Sequence, residues 1–151
     1  MAQYSAWERE YQRSTFLTKD SKPQADVLKA LKFLKISERV EKYGLTVLDL
    51  GSGAGRNSNF LAKEGSVVSG IEISDTAIRI AQEYANEHNL SVNFIEGDIG
   101  SLYPFPASHF DLILDITSSN SLDESGRTIY IRESARVLKI GGHFIVKTLC
   151  K

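Results

Sequence analysis

The sequence predicts an α/β sandwich: a mostly parallel sheet of about five strands covered by helices on both faces. Three observations carry that expectation. Short apolar runs alternate with segments of helical periodicity from Thr46 onward. The runs, such as LILDI and FIV, are nearly continuous in apolar residues, as strands buried on two faces must be. A bend of alternating glycines, Gly51-Ser52-Gly53-Ala54-Gly55, separates the first run from the first following helix. Alternating strands and helices imply right-handed crossovers and parallel neighbours.

The elements follow in order. Residues 1–22 are polar with scattered aromatics, Tyr4, Trp7, Tyr11 and Phe16. Pro23 suits the first turn of a helix from Gln24 to about Val40. In that helix Val27, Leu28, Leu31 and Leu34 recur at helical spacing, and Tyr43-Gly44 closes it. Thr46–Leu50 is the first strand, and Asn57–Lys63 a helix stopped by Gly65. Ser66–Ile73 is the second strand. Ser74 is placed to cap a helix through about His88, with Ala77, Ile78, Ala81 and Ala85 on one face. Ser91–Glu96 is the third strand, and Phe110–Ile116 the fourth, after the turn-rich SLYPFPASH. Glu124–Leu138 is helical, Gly141-Gly142 turns, and His143–Thr148 is the fifth strand. The organisation is a single domain: an N-terminal helical segment or lid, 1–44, and a core, 45–151.

Composition narrows the function. The 151 residues are 42% hydrophobic and 25% charged, with a formal net charge of -1. No global basic field points to nucleic acid. One cysteine, Cys150, excludes an internal disulfide framework and a cysteine-based zinc site, and fits a reducing, cytoplasmic setting. The N-terminus is charged and lacks the apolar centre of a signal peptide. No apolar run approaches the ~18 residues of a membrane span. His88, His109 and His143 have no metal-ligand spacing, so no metal is expected.

The glycines follow the first strand, where ligands of such sheets bind. A G-x-G-x-x-G pattern would signal a dinucleotide, but here the spacing is tighter and Arg56 stands at the last glycine position. A ligand-free tight turn is the plainer alternative. Glu72 ends the second strand, at the spacing of about 20 residues beyond the bend where a carboxylate meets ribose hydroxyls. Asp98, at the tip of the third, can accept from an exocyclic amine such as that of adenine. Taken singly, each acid reads as a solvated strand end. Together with Asp49 and the glycines they mark three successive strand tips.

VLDLGSGAG, GIEIS, EGDI, FDLILD and RVLKIGGHFIV, in this order over 46–148, resemble the motifs of class I S-adenosylmethionine-dependent methyltransferases. The resemblance implies a Rossmann-like sheet of order 3-2-1-4-5 and S-adenosyl-L-methionine as cofactor, with S-adenosyl-L-homocysteine as product. It implies that Asp49, Gly51, Ser52, Gly53 and Gly55 line the methionine end. Glu72 would hold the ribose hydroxyls, Asp98 the adenine amine and the Ile99 backbone the adenine ring edge, with Ile73 a further cofactor-binding residue. Arg56 and Asn57 have no fixed counterpart role. The segment Asp115–Ser121 is where an acceptor would meet the methyl group. Asp115 is the candidate catalytic base or orienting acid and a cofactor neighbour; the alternative is a carboxylate that caps local backbone N–H groups.

The implied activity is methyl transfer to an oxygen or nitrogen nucleophile of a small molecule. An RNA methyltransferase and a non-catalytic cofactor-binding module remain as alternatives, and a dehydrogenase ranks last. The Asn/Asp-Pro-Pro-aromatic stretch of amino-methylating relatives is replaced by DITSSNS. Cys150 lacks the companion Pro-Cys of cytosine-C5 enzymes. Lys147 with Asp115 is similar to the pair of ribose 2′-O-methyltransferases; the alternative is a lysine directed to solvent. Members of the family normally continue with two more strands, so ending after strand five leaves a bare edge. The expectation is a fragment, a homodimer through that edge, or cover from the N-terminal segment. The N-terminal aromatics would form a lid over the cofactor or simply pack an amphipathic helix on the sheet.

Overall fold

In the computed structural model, residues 2–13, 21–35 and 44–149 are described. Five strands, β1 (Thr46–Leu50), β2 (Val67–Glu72), β3 (Val92–Glu96), β4 (Phe110–Ile116) and β5 (Leu138–Lys147), form one sheet of order β3-β2-β1-β4-β5. Every neighbouring pair is parallel. The helices are α1 (Ala2–Arg13), α2 (Ala25–Phe33), α3 (Arg56–Lys63), α4 (Asp75–Glu87) and α5 (Glu124–Val137), with a 3-10 turn at Ser118–Ser121.

The period-2 alternation of a strand divides the core between two faces. Val47, Val68, Leu112 and Leu114 pack with Val27, Leu31 and Leu34 of the α2 region and Leu61 of α3. Leu48, Leu50, Ile71 and Ile113 turn the other way, onto Tyr130 and Val137 of α5. Val47, Leu48, Leu50 and Leu114 are fully buried, each worth about 1.5–3 kcal/mol over an exposed position. α4 brings the small side chains Ala77, Ala81 and Ala85 inward, which lets it sit close to β2, β3 and α3. Between β3 and β4 the second face is covered by a loop instead of a helix. Tyr103 fills it, and Arg136 pins it through the Phe105 and Tyr103 carbonyls at 2.8 and 3.1 Å.

Some boundaries differ from expectation. Gln24 is the N-cap of α2, so Pro23 precedes the helix instead of entering its first turn. Leu28 is exposed while Val27, Leu31 and Leu34 are buried. β5 begins at Leu138, and Gly141-Gly142 lie inside it as a bulge. Phe110 pairs with Leu138, but Leu112 pairs with His143, so the chain between loops outward. Gly141 supplies the positive φ of +79° for that excursion, and Ile140 is left fully exposed. Phe16, Tyr43, Cys150 and the expected end of the second helix lie outside the described residues.

Candidate active site

Between β1 and β4 the strand order reverses, and loops leaving their C-terminal ends diverge to opposite faces. A cleft of about 210 Å³ opens there. Its floor is the Gly51–Ala54 bend. Its walls are Glu72 and Ile73 after β2, Gly97–Ile99 after β3, and Ile116–Ser118 with Ser121 after β4. Gln3, Trp7 and Tyr11 of α1 and Gln24, Arg56 and Asn57 complete the rim.

The bend is held by the sheet. Gly51 and Ser52 donate their N–H groups to the Ile71 carbonyl at 2.8 and 3.1 Å. Gly51 and Gly53 have φ of +69° and +56°, where a side chain is strained. A Cβ at Gly51 would lie 2.1 Å from Ser118 Oγ, and one at Gly53 2.5 Å from the Tyr11 hydroxyl. The cleft is thus narrow enough that only bare backbone leaves room for a ligand.

Gly55 does not belong to the cleft wall. It is the left-handed N-cap of α3, and a Cβ there would strike Ala81, Asn59 and Phe94 in the packing layer. The third glycine of the motif is required where α3 packs against α4 and β3, and it is not among the residues that line the cleft.

The acids at the strand tips divide into two sets. Glu72 and Asp98 line the cleft. Glu72 Oε1 accepts from the Ile73 and Ser74 N–H groups, both at 2.9 Å, and Oε2 accepts from Gly53 N–H at 2.8 Å. Burial raises its pKa, against the pull of those three donors. A carboxylate offers about four acceptor sites, so one remains on Oε2 for a ligand hydroxyl. Asp98 Oδ1 accepts from Gly100 N–H at 2.7 Å in an exposed turn, which fixes the carboxylate and leaves Oδ2 as an acceptor.

Asp49 and Asp115 lie behind the wall. Asp49 is 2% exposed and accepts from Ser58 Oγ at 2.6 Å. Burial pushes its carboxyl up to about 6, opposed by the Ser58 hydrogen bond and reinforced by Glu72 and Asp115. Asp115 is fully buried. Its Oδ1 accepts from Ser118 and Ser119 N–H at 2.9 and 3.3 Å, and its Oδ2 from the Tyr130 hydroxyl at 2.6 Å. Asp115 is not among the residues that line the cleft; its carboxylate caps the turn that carries Ser118 and Ser121. Lys147 is not its partner either, since it pairs with Asp26 at 2.5 Å.

Several wall residues had no sequence signal. Asn57 Oδ1 accepts from Gln24 N–H at 2.9 Å while its Nδ2 donates to Gln24 Oε1 at 2.8 Å, a reciprocal pair between distant segments. Thr117 takes a φ of +72°, uncommon for a β-branched residue, and Ile116–Ser118 line the cleft. That segment was expected at the acceptor side; its strained backbone was not. Among the described residues no three His, Cys, Asp or Glu side chains converge as a metal site. No helix among them is long and apolar enough to cross a membrane.

A parallel sheet with a glycine bend and two acid-tipped strands facing one cleft defines a nucleoside-cofactor α/β domain. Residues 47–142 match the methyltransferase-domain family model, and the chain belongs to that family. It is 31% identical over 114 residues to the ubiquinone biosynthesis O-methyltransferase of Coxiella burnetii, covering 76% of this chain and 47% of that enzyme. Among solved structures, the PH0226 protein of Pyrococcus horikoshii superposes with a TM-score of 0.70 at 31% identity, over 90% of this chain and 63% of that one. A SAM-dependent methyltransferase from Methanosarcina mazei gives 0.64 at 32% identity, over 72% and 54%. The chain therefore spans about half the length of the curated relative it matches. The family cofactor is S-adenosylmethionine, and the cleft fits it: a side-chain-free bend, an acceptor left on Glu72, and Asp98 beside the apolar Ile73 and Ile99.

Proposed function

We propose that this chain binds S-adenosylmethionine in the β1/β4 cleft and that the protein transfers its methyl group to an oxygen or nitrogen nucleophile of a small molecule. The observation that carries the reading is the convergence of the Gly51–Ala54 bend, Glu72 and Asp98 on one cleft in a chain of the methyltransferase-domain family. When bound, the cofactor supplies an electrophilic methyl on a sulfonium. Glu72 then accepts from the ribose hydroxyls, and Asp98 from the adenine amine. Ile73 and the Ile99 backbone flank the base. Gly51, Ser52 and Gly53 make room for the methionine end, with Asp49 supporting the bend from behind through Ser58. Ile116–Ser118 and Ser121 form the acceptor side, aligned by Asp115. Rate enhancement by such a wall comes from alignment, for which effective molarities reach about 10⁵–10⁸ M.

An oxygen acceptor is favoured by the likeness to the Coxiella O-methyltransferase. Residues 1–44 act as a lid, on the ground that Gln3, Trp7 and Tyr11 rim the cleft. The near-neutral charge favours no nucleic-acid partner, and the single cysteine a cytoplasmic setting. A homodimer through the β5 edge completes the reading.

Calorimetry with S-adenosylhomocysteine, NAD and ATP tests it. S-adenosylhomocysteine should bind tightest, and Asp98→Ala and Glu72→Ala should each weaken it by about tenfold or more, the loss of a charge-assisted hydrogen bond. Preference for NAD overturns the assignment; undiminished affinity in the variants removes those two roles.

A further inference from the structure

α1 closes the cleft, but little apolar surface holds it there. None of its side chains described from Gln3 to Arg13 is buried, and Trp7, at the cleft rim, is 37% exposed. A helix of this length is marginal on its own. Its order depends on polar fastenings at two points of the core. One is Gln3, whose amide donates to the Ser121 carbonyl on the acceptor side. The other is Glu8, on the ribose side.

Glu8 sits at the N-terminus of α4, where orphan N–H groups and the helix dipole favour a carboxylate. Glu8 Oε2 accepts from Ser74 Oγ at 2.6 Å and from Thr76 N–H at 3.2 Å. Its Oε1 accepts from Thr76 Oγ1 at 2.5 Å and from Gln12 at 2.8 Å. The Ser74 and Thr76 donors hold its carboxyl at about 2, so it stays ionised across the working range of pH. Tyr4, one turn earlier, donates to Asp75 at 3.2 Å. Ser74 also caps α4 through Ala77 N–H at 3.1 Å, and its own N–H binds Glu72. The fastening of α1 is therefore one residue removed from the carboxylate assigned to the ribose.

We propose that Glu8 is the latch of a lid: α1 swings off the α4 N-terminus to admit and release the cofactor, and Glu8 returns it over the bend. The inference rests on the reading of the cleft as the cofactor site. With α1 latched, Tyr11 stands over Gly53 and Trp7 and Gln3 wall the cleft. With the latch broken, one side of the cleft is open to solvent. Glu8 is a positioning residue: it touches no ligand and acts through α1. Lids of this kind are drawn from weakly held elements and set ligand release.

Stopped-flow binding of S-adenosylhomocysteine, followed by the emission of Trp7, the chain's only tryptophan, tests the latch. Glu8→Ala should raise the dissociation rate about tenfold without slowing association, as expected for loss of hydrogen bonds to a charged group. Thr76→Val, made on the opposite side of the contact, should act in the same direction. The double variant should dissociate no faster than Glu8→Ala alone, because both remove one contact. A purely structural role would lower Tm and leave the dissociation rate of the folded protein unchanged; that result, or additive effects of the two substitutions, overturns the proposal. If the wild-type chain gives no calorimetric signal with S-adenosylhomocysteine, the cofactor reading falls and the latch with it. Binding with unaltered rates in both variants sinks the latch alone.

Discussion

At the scale of the residue, Asp49 is a carboxyl whose ionisation burial opposes. It lies at the centre of the sheet, 2% exposed, with Ser58 Oγ at 2.6 Å as its side-chain donor and two other acids, Glu72 and Asp115, adding unfavourable potential. Its carboxyl is pushed up to about 6, from an ordinary value of 3.8. The sign of the linkage follows. Below pH ~3 Asp49 is protonated in both folded and unfolded chains and costs nothing. As pH rises toward 6 the unfolded chain ionises first, and the folded state loses stability. Above 6 the full cost is present, about 1–3 kcal/mol at 1.36 kcal/mol per unit. Asp49→Asn, which keeps an acceptor for Ser58, should therefore stabilise the fold by that amount at pH 7.5 and by almost nothing near pH ~3. Urea denaturation at the two pH values checks this; a variant destabilised at pH 7.5 alone would show that ionised Asp49 supports the bend.

At the scale of the element, the β1–α3 connection does two jobs that its sequence spells in the same letters. Gly51 and Gly53 face the cleft, whereas Gly55 faces Ala81 of α4 and Phe94 of β3. Gly51→Ala and Gly55→Ala each force a Cβ onto a positive φ, costing about 1 kcal/mol or more. Their second effects should separate. Gly51→Ala should abolish S-adenosylhomocysteine binding, since its Cβ would lie 2.1 and 2.4 Å from Ser118 Oγ and Cβ and forces the Ile116–Ser118 wall to shift. Gly55→Ala should lower Tm, since its Cβ meets Ala81 at 2.7 Å, and the surviving folded protein should still bind. Calorimetry beside thermal unfolding distinguishes the two, and equal loss of affinity in both variants refutes the division.

The same ambiguity marks how much of the site was legible beforehand. Strand order and strand tips could be read because two-sided burial gives a periodic signal, and Phe110–Ile116 falls where the pattern places it. The side on which a group points at a strand's end has no such signature. Asp98 and Asp115 follow similar apolar runs, yet one lines the cleft and the other turns back to cap its own loop. The Gln24–Asn57 pair and the Glu8–Ser74 contact join segments whose sequence distance hides their meeting.

At the scale of the whole molecule, the sheet has two edges, β3 and β5, and they are not alike. β3 is five residues long and ends in Glu96. β5 is ten residues long, and Val146 is 44% exposed, with Leu149 just beyond at 73%. A long edge with apolar side chains is a template for another strand. The proposed homodimer pairs β5 with β5 across a two-fold axis, which buries the same surface twice. Sedimentation equilibrium should then show a concentration-dependent dimer. Val146→Lys, which places a charge on each copy near the axis, should shift it to monomer without lowering Tm, since Val146 lies outside the two core clusters. The Gly141–Gly142 bulge sharpens the test. It carries Ile140 away from the ladder, so Ile140→Lys should leave the dimer intact if pairing runs along 143–147. If instead Ile140→Lys breaks the dimer and Val146→Lys does not, association proceeds through the bulge and the strand edge is not the interface.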